Sequence, residues 1–342
     1  MKIDAAVLTA HGAPLQLQTL DLCDELQAFE VLVEMRAAGI CHTDLSVQAG
    51  KLPLPAPHVL GHEGAGRIVR TGSAVTHLKA GDNVVLTFSS CGQCAACLQN
   101  QPAYCANNLA HNYSGCRVDG SHTLHCGEQK IGGNFFGQSS FASFAIANER
   151  NAIRVDDDVP ASVLAPLGCG VQTGAGAVLR HLKPEVGSSL VVFGAGTVGL
   201  SAVMAAKIVG CYPIIVVEPN ESRRHLALDL GATHAIDPER YKVGKEIATI
   251  CGGADYALEC TGNPQVLQKA YSTLKPQGTV VLLGAPALGQ KFELDMFSLL
   301  FGRKIHGVLE GDSNPPVFIP QLVDLYRQGL LPVDRLVKTY PF

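Results

Sequence analysis

The sequence predicts an α/β chain in which a doubly wound parallel sheet is joined to a β-rich unit stapled by a metal. Three observations predict it: a glycine-rich strand-to-helix turn at Gly194, strand-like and helical runs alternating after it, and a dense cysteine run from Cys91 to Cys105. With 342 residues the chain exceeds the usual single-core limit, so two domains are expected. A net charge of -4 argues against a nucleic-acid or other polyanionic partner.

The first 158 residues carry short apolar segments such as Val31–Met35, Gly66–Val69 and Asn83–Leu86, separated by Gly and Pro. They read as a partly barrel-like β unit. Within it, Cys91, Cys94, Cys97 and Cys105 form a C-x2-C-x2-C-x7-C run. Thiolates at that density close a tetrahedral all-sulfur cage with no position left for substrate, so the run reads as structural zinc. A disulfide knot would require export, and Met1-Lys2-Ile3-Asp4 offers no apolar signal segment. A nucleic-acid zinc module would need basic residues, and Cys91 to Cys105 contains no Lys or Arg.

Residues 159–307 read differently. The β-branched run Ser189–Phe193 enters Gly194-Ala195-Gly196-Thr197-Val198-Gly199 and leaves into a helical stretch from Leu200 to Gly210. That is the dinucleotide fingerprint in its required context: Gly194 for the tight turn, Gly196 for approach of the pyrophosphate, Gly199 for helix-on-strand packing. The next strand, Pro213–Val217, ends in Glu218, where an acid binds the adenosine ribose and repels a 2'-phosphate, favouring NAD over NADP. Asn220, Arg223 and Arg224 follow closely; they suit either an adenosine pocket or a solvated helix start. Strand-like runs at Ala235–Ile236, Asp255–Glu259 and Thr279–Leu283 alternate with helical patterns over Ser222–Leu230 and Pro264–Leu274, which completes a Rossmann-type sheet. The uncharged stretch from Gly187 to Ala206 is long enough to suggest a membrane span, but its three motif glycines tell against lipid.

Other constellations stay open on spacing alone. Cys41, His62 and Cys169 permit a Cys2His site without demonstrating one. His58 and His62 are four apart, but Pro55, Pro57 and Gly61 oppose a helix there, so His58 is expected on a loop or the surface. His122, His125 and Cys126 cluster without a fourth ligand at a recognisable spacing. Cys23, Cys116, Cys126, Cys211, Cys251 and Cys260 are expected to be reduced thiols of a cytoplasmic protein.

In order along the chain stand C-H-T-D at Cys41–Asp44, G-H-E at Gly61–Glu63, the four-cysteine lobe, G-C-G at Gly168–Gly170 and the nucleotide fingerprint. This set resembles the zinc-dependent alcohol dehydrogenases of the medium-chain dehydrogenase/reductase superfamily. The resemblance implies a GroES-like catalytic domain over 1–158, an NAD-binding domain over 159–307, and a return segment over 308–342 with a helix at Pro320–Gln328. It further implies two zinc ions per chain and NAD as cofactor. Cys41, His62 and Cys169 would hold the catalytic zinc, with water or alcohol in the fourth position. Asp44 would orient His62, Glu63 would be an outer or transient ligand, and Thr43 would take the hydroxyl proton. Ser46 stands where some relatives end the proton relay with a histidine, and His42 where many place a basic residue on the pyrophosphate. Thr173 and Val198 would pack on the nicotinamide, and Thr197, Glu218, Arg223, Leu283 and Val308 would complete the cofactor site. The zinc would make an alcohol hydroxyl acidic while nicotinamide takes the hydride.

The segments Asn134–Ala142 and Gly168–Ala177 resemble those of benzyl (aryl) alcohol dehydrogenases and their geraniol-type allylic relatives. Phe135 and Phe136 then offer an aromatic wall for a conjugated primary alcohol, or else pack in the core. Two other readings are a weakly active reductase of the same superfamily and a fold-only NAD-binding protein, which metal content would separate. The resemblance also implies that the chain stops about 30 residues short of its relatives, exposing an apolar edge, with either reduced stability or a partner chain over that edge as the expected consequence. It implies a dimer or tetramer formed through the nucleotide domain near Arg303–Leu309, a small-molecule alcohol or aldehyde as substrate, and no membrane partner.

Overall fold

A computed structural model describes residues 1–52 and 54–342. The chain divides into two compact units, one of residues 1–169, 314–324 and 334–342, the other of residues 170–313 and 325–333. Residues 159–169 thus go with the first unit, and the segment after 308 is shared between the two.

The first unit contains two five-stranded sheets. In one, the strands run in the order 58–59, 2–8, 16–22, 124–126 and 129–131; in the other, 152–155, 83–86, 63–71, 30–39 and 144–148. Alternation makes the first strand: Lys2 and Asp4 face solvent while Ile3 and Ala5 are buried. The second sheet positions the chemistry. Its three adjacent strands Asn83–Leu86, Glu63–Thr71 and Glu30–Gly39 are antiparallel, with Gly39 opposite Glu63 and Val85 opposite Ala65. One end of this sheet therefore gathers the exit of strand 30–39 before Cys41, the entrance of strand 63–71 after His62, and the exit of strand 83–86 before Thr87.

The second unit is a six-stranded parallel sheet. Its strands are β1 (Leu190–Phe193), β2 (Ile214–Val217), β3 (His234–Ile236), β4 (Ala254–Glu259), β5 (Leu274–Leu282) and β6 (Lys304–Gly307), arranged 3-2-1-4-5-6. β1 and β2 are buried at every position, as expected of parallel strands covered on both faces. The helix Thr197–Ile208 that follows β1 is buried along most of its length. The uncharged stretch from Gly187 to Ala206 is thus a strand and a helix of this core, and no single helix among the described residues is long and apolar enough to cross a membrane.

Three local expectations shift. Leu274 opens β5 rather than closing the preceding helix, which ends at Ser272. The helix expected at Pro320–Gln328 begins earlier and runs Pro315–Arg327, with Pro320 inside it. His58 is neither on a loop nor at the surface: it lies in strand His58–Val59, pairs with Leu8, and is fully buried.

Candidate metal centre and nucleotide site

Cys41, His62 and Cys169 converge at the sheet end defined above, their ligand atoms all within 4.8 Å of one another. Cys41 caps the helix His42–Gln48, whose third residue, Asp44, turns back on the cap. The Asp44 carboxylate accepts from the Cys41 backbone N–H at 2.9 Å and from the Gly61 N–H at 3.0 Å, and lies 3.1 Å from His62 Nδ1. One buried carboxylate therefore ties two ligand segments together and fixes the imidazole tautomer. Cys169 follows a short 3-10 turn, Ala165–Gly168, pinned to the same sheet by the Thr87 hydroxyl, which donates to the Gly168 carbonyl at 2.7 Å. Gly168 has no room for a side chain, because the Leu86 carbonyl oxygen passes where a Cβ would sit.

The donor set fits a divalent cation. His62 Nε2 is buried with no hydrogen-bond partner, although Nδ1 is engaged. Burial alone would depress the imidazole, but the Asp44 carboxylate and the Cys41 thiolate reverse this and hold it well above its ordinary range. The Cys41 thiol is held well below its usual range, first by hydrogen bonding with Cys169 and then by His62, against the cost of burial. Two sulfurs and one imidazole with an orphaned nitrogen are a donor set that could hold one zinc ion through three ligands.

Around this centre, the Thr43 hydroxyl lies 3.8 Å from Cys41 Sγ, and Ser46 is one turn further along the same helix. Glu63 is buried against Gly39, where any Cβ would overlap its carboxylate. His42 is exposed. Phe135 is fully buried and Phe136 nearly so. Phe136 stacks on the His62 ring at 4.5 Å and 26°, and Phe135 meets it edge-on at 5.4 Å. Phe135 is thus enclosed in the core and forms no open wall.

Sequence reasoning missed Gln138. Its buried amide donates to the carbonyls of His62 at 2.9 Å and Thr87 at 3.2 Å and accepts from the Gly64 N–H at 3.1 Å, joining the segment that carries His62 to the Thr87 backbone at the exit of the neighbouring strand. Asn151 adds a donor to the Thr87 carbonyl at 3.1 Å. Neither position carries a sequence signal, since both amides act through backbone groups remote in the chain.

The four-cysteine lobe is closed. Cys91 and Cys97 Sγ are 3.9 Å apart and Cys94 and Cys105 Sγ 4.0 Å, near the edge of about 3.8 Å that a tetrahedron of Zn–S bonds of about 2.3 Å requires. Backbone N–H groups of Cys91, Cys94, Ala106 and Asn107 point at these sulfurs from 3.3–3.4 Å. Those of Ala106 and Cys97 bring the Cys94 thiol down to about 6. Two groups among the described residues can hold a metal, this lobe and the Cys41–His62–Cys169 trio. His122, His125 and Cys126, at the start of a hairpin, are not such a group.

In the second unit the candidate cofactor residues line the carboxyl ends of the parallel strands, the side on which open α/β sheets bind ligands. Gly194 leaves β1 with φ +95°, Gly196 caps the helix Thr197–Ile208, and a Cβ on Gly199 would strike the Gly194 carbonyl. Thr197 is exposed and Val198 half-buried at the helix start, with the Val198 carbonyl against Gly174. Glu218, at the end of β2, accepts from the Ala195 N–H at 2.7 Å and the Asn220 N–H at 2.9 Å. Arg223 is exposed, whereas Arg224 is held by the Glu218 carbonyl at 2.8 Å and Asp237 at 3.2 Å. Leu283 and Val308 follow β5 and β6. Thr173 lies on the helix Gly170–Gly176, its hydroxyl 3.5 Å from the Glu310 carboxylate.

A metal-binding catalytic unit joined to a dinucleotide-binding unit defines a zinc-dependent oxidoreductase. Residues 27–157 match the model of the alcohol dehydrogenase GroES-like domain and residues 197–327 that of the zinc-binding dehydrogenase domain. The chain is 43% identical to a geraniol dehydrogenase of Castellaniella defragrans, over 99% of this chain and 91% of that protein. Two crystal structures superpose closely. An alcohol dehydrogenase zinc-binding domain protein from Burkholderia ambifaria gives a TM-score of 0.97 at 49% identity, covering 100% of this chain and 93% of that one. A benzyl alcohol dehydrogenase from Acinetobacter calcoaceticus gives 0.96 at 46% identity, covering 99% and 93%. The chain belongs to the zinc-binding alcohol dehydrogenase family of the medium-chain dehydrogenase/reductase superfamily, and it is an alcohol dehydrogenase that uses zinc and a nicotinamide cofactor.

Proposed function

We propose that the protein interconverts aromatic or allylic primary alcohols and their aldehydes with NAD. The observation that carries the chemistry is the convergence of Cys41, His62 and Cys169 with His62 Nε2 left unpartnered in a buried site. When bound there, zinc polarises the substrate oxygen and lowers the pKa of the hydroxyl, and NAD supplies the hydride acceptor. The chain's own residues do the rest. Asp44 keeps the His62 Nδ1 proton in a hydrogen bond, so the Nε2 lone pair faces the metal. Thr43 takes the hydroxyl proton, and Ser46, on the same helix face, passes it toward solvent. Glu63 supports the centre from behind Gly39.

Glu218 sets the cofactor preference. A buried carboxylate beside the glycine turn repels a 2'-phosphate, and exposed Arg223 is left to the adenosine side. For the substrate class, the support is similarity to proteins named geraniol dehydrogenase and benzyl alcohol dehydrogenase.

We also propose a cytoplasmic homo-oligomer, a dimer or tetramer. None of the twelve cysteines is in a disulfide, and exposed Met296, Phe297, Leu300, Phe301 and Leu309 flank the edge strand β6. The test of function is NADH formation with benzyl alcohol, geraniol and ethanol, with and without a chelator. The conjugated alcohols should react faster and chelation should stop turnover; faster ethanol oxidation would overturn the substrate class, and chelator-insensitive turnover the mechanism.

A further inference from the structure

The segment Asn134–Ser139 is held in an unusual backbone. Asn134, Phe136, Gly137 and Ser139 all have left-handed φ, at 59°, 51°, 67° and 57°. A phenylalanine rarely adopts that conformation, and such strain persists only where the surroundings over-determine it. Here they do. The Ser139 hydroxyl donates to the Val59 carbonyl at 2.6 Å while accepting from the Phe135 N–H at 2.9 Å. Asn151 donates to the Gly137 carbonyl at 3.2 Å, and Gln138 grips the His62 carbonyl and the Gly64 N–H. A Cβ on Gly137 would lie 2.6 Å from Ser89 Cβ, so the turn packs closely against Ser89 and admits only glycine there.

What this backbone achieves is the placement of one ring. Phe136 lies nearly parallel to the His62 imidazole, 4.5 Å away and tilted by 26°. Phe135 and Tyr113 fix the Phe136 ring edge-on, at 4.9 Å and 5.2 Å. A close-packed filler would not need a face-on ring. An imidazole that donates its Nε2 lone pair to a cation becomes electron-poor, and the negative face of a phenyl ring then attracts it more than it attracts the free imidazole.

We propose that Phe136 is a positioning residue for His62, its ring face holding the imidazole plane and favouring the metal-bound state over the metal-free one. This rests on the reading of Cys41, His62 and Cys169 as the catalytic zinc ligands, and it assigns to Phe136 a role distinct from contact with substrate. The same stacking turns a strained turn into a selective brake on metal loss. The four-cysteine lobe, whose four candidate ligands are all thiols with no imidazole to stack on, gains nothing from it.

The test is chelator-driven metal release from the purified holoenzyme, with the visible bands of the enzyme cobalt-substituted at the catalytic site as a second readout. Phe136→Leu removes the ring, Phe136→Tyr keeps it, and pentafluorophenylalanine at position 136 keeps the shape while inverting the charge of the face. Phe136→Leu and the fluorinated residue should release the catalytic-site metal about 3- to 10-fold faster and shift the cobalt bands. Phe136→Tyr should stay within about twofold of the native rate, and the lobe metal should leave unchanged in all three. Native release rates and unshifted bands in the fluorinated protein would overturn the proposal even where Phe136→Leu failed to fold. A native enzyme holding metal in the four-cysteine lobe alone would instead overturn the reading beneath it.

Discussion

Acidification should expose the cost of burying His58. Its imidazole is fully enclosed, neither ring nitrogen has a hydrogen-bond partner, and the backbones of Gly115 and Gly132 close over the ring where a Cβ on either would crowd it. Desolvation brings its pKa from 6.5 down to about 4, with the Pro55 backbone opposing the fall and His122 adding to it. A histidine depressed in the folded state binds its proton more readily when unfolded. The stability it leaves intact is therefore full above about 6.5 and drains away as pH falls toward about 4. At 1.36 kcal/mol per pH unit, that gap of about 2.5 units amounts to about 3 kcal/mol. His58→Leu keeps an apolar side chain in the same enclosed space and removes the titration. Urea unfolding of the zinc-loaded protein and the variant across pH 4–8 checks this. The difference between the two should be flat above about pH 7 and move in favour of the variant by about 3 kcal/mol by pH 4. Parallel curves would refute the reasoning, whatever the absolute stabilities.

Two substitutions probe the metal centre from behind. Asp44→Asn leaves an acceptor for the Cys41 N–H but no charge beside His62 Nδ1, and it should weaken metal affinity about 10- to 100-fold in a chelator titration; unchanged affinity would show that the tautomer is fixed elsewhere. Gly168→Ala drives a methyl into the Leu86 carbonyl and should cost about 1–3 kcal/mol in denaturant unfolding while displacing Cys169; a variant with native stability and native cobalt bands would contradict this close packing.

The sequence made the chemistry of the ligands legible more readily than their meeting. The cysteine lobe is local, and its spacing alone implies the cage that the 3.9 Å and 4.0 Å sulfur pairs describe. The glycine turn is equally local, each glycine answering to one backbone approach. Cys41, His62 and Cys169 are not local: what joins them is the register of Gly39 with Glu63 and the bond from Thr87 to Gly168, and register leaves no mark in a single sequence. The same limit hid Gln138, whose partners are main-chain groups. His58 was misplaced because the prolines around it read as loop, whereas a two-residue strand and two glycines bury it. Phe135 and Phe136 showed aromatic character but not which side of the metal site they would fill.

The account depends on two metals held by separate ligand sets, which elemental analysis of the native chain and of Cys169→Ser tests most directly. The native protein should carry two zinc ions per chain and oxidise alcohol; Cys169→Ser should keep the four-cysteine zinc, lose the other, and lose turnover with it. Two zinc ions and native activity in Cys169→Ser would contradict it.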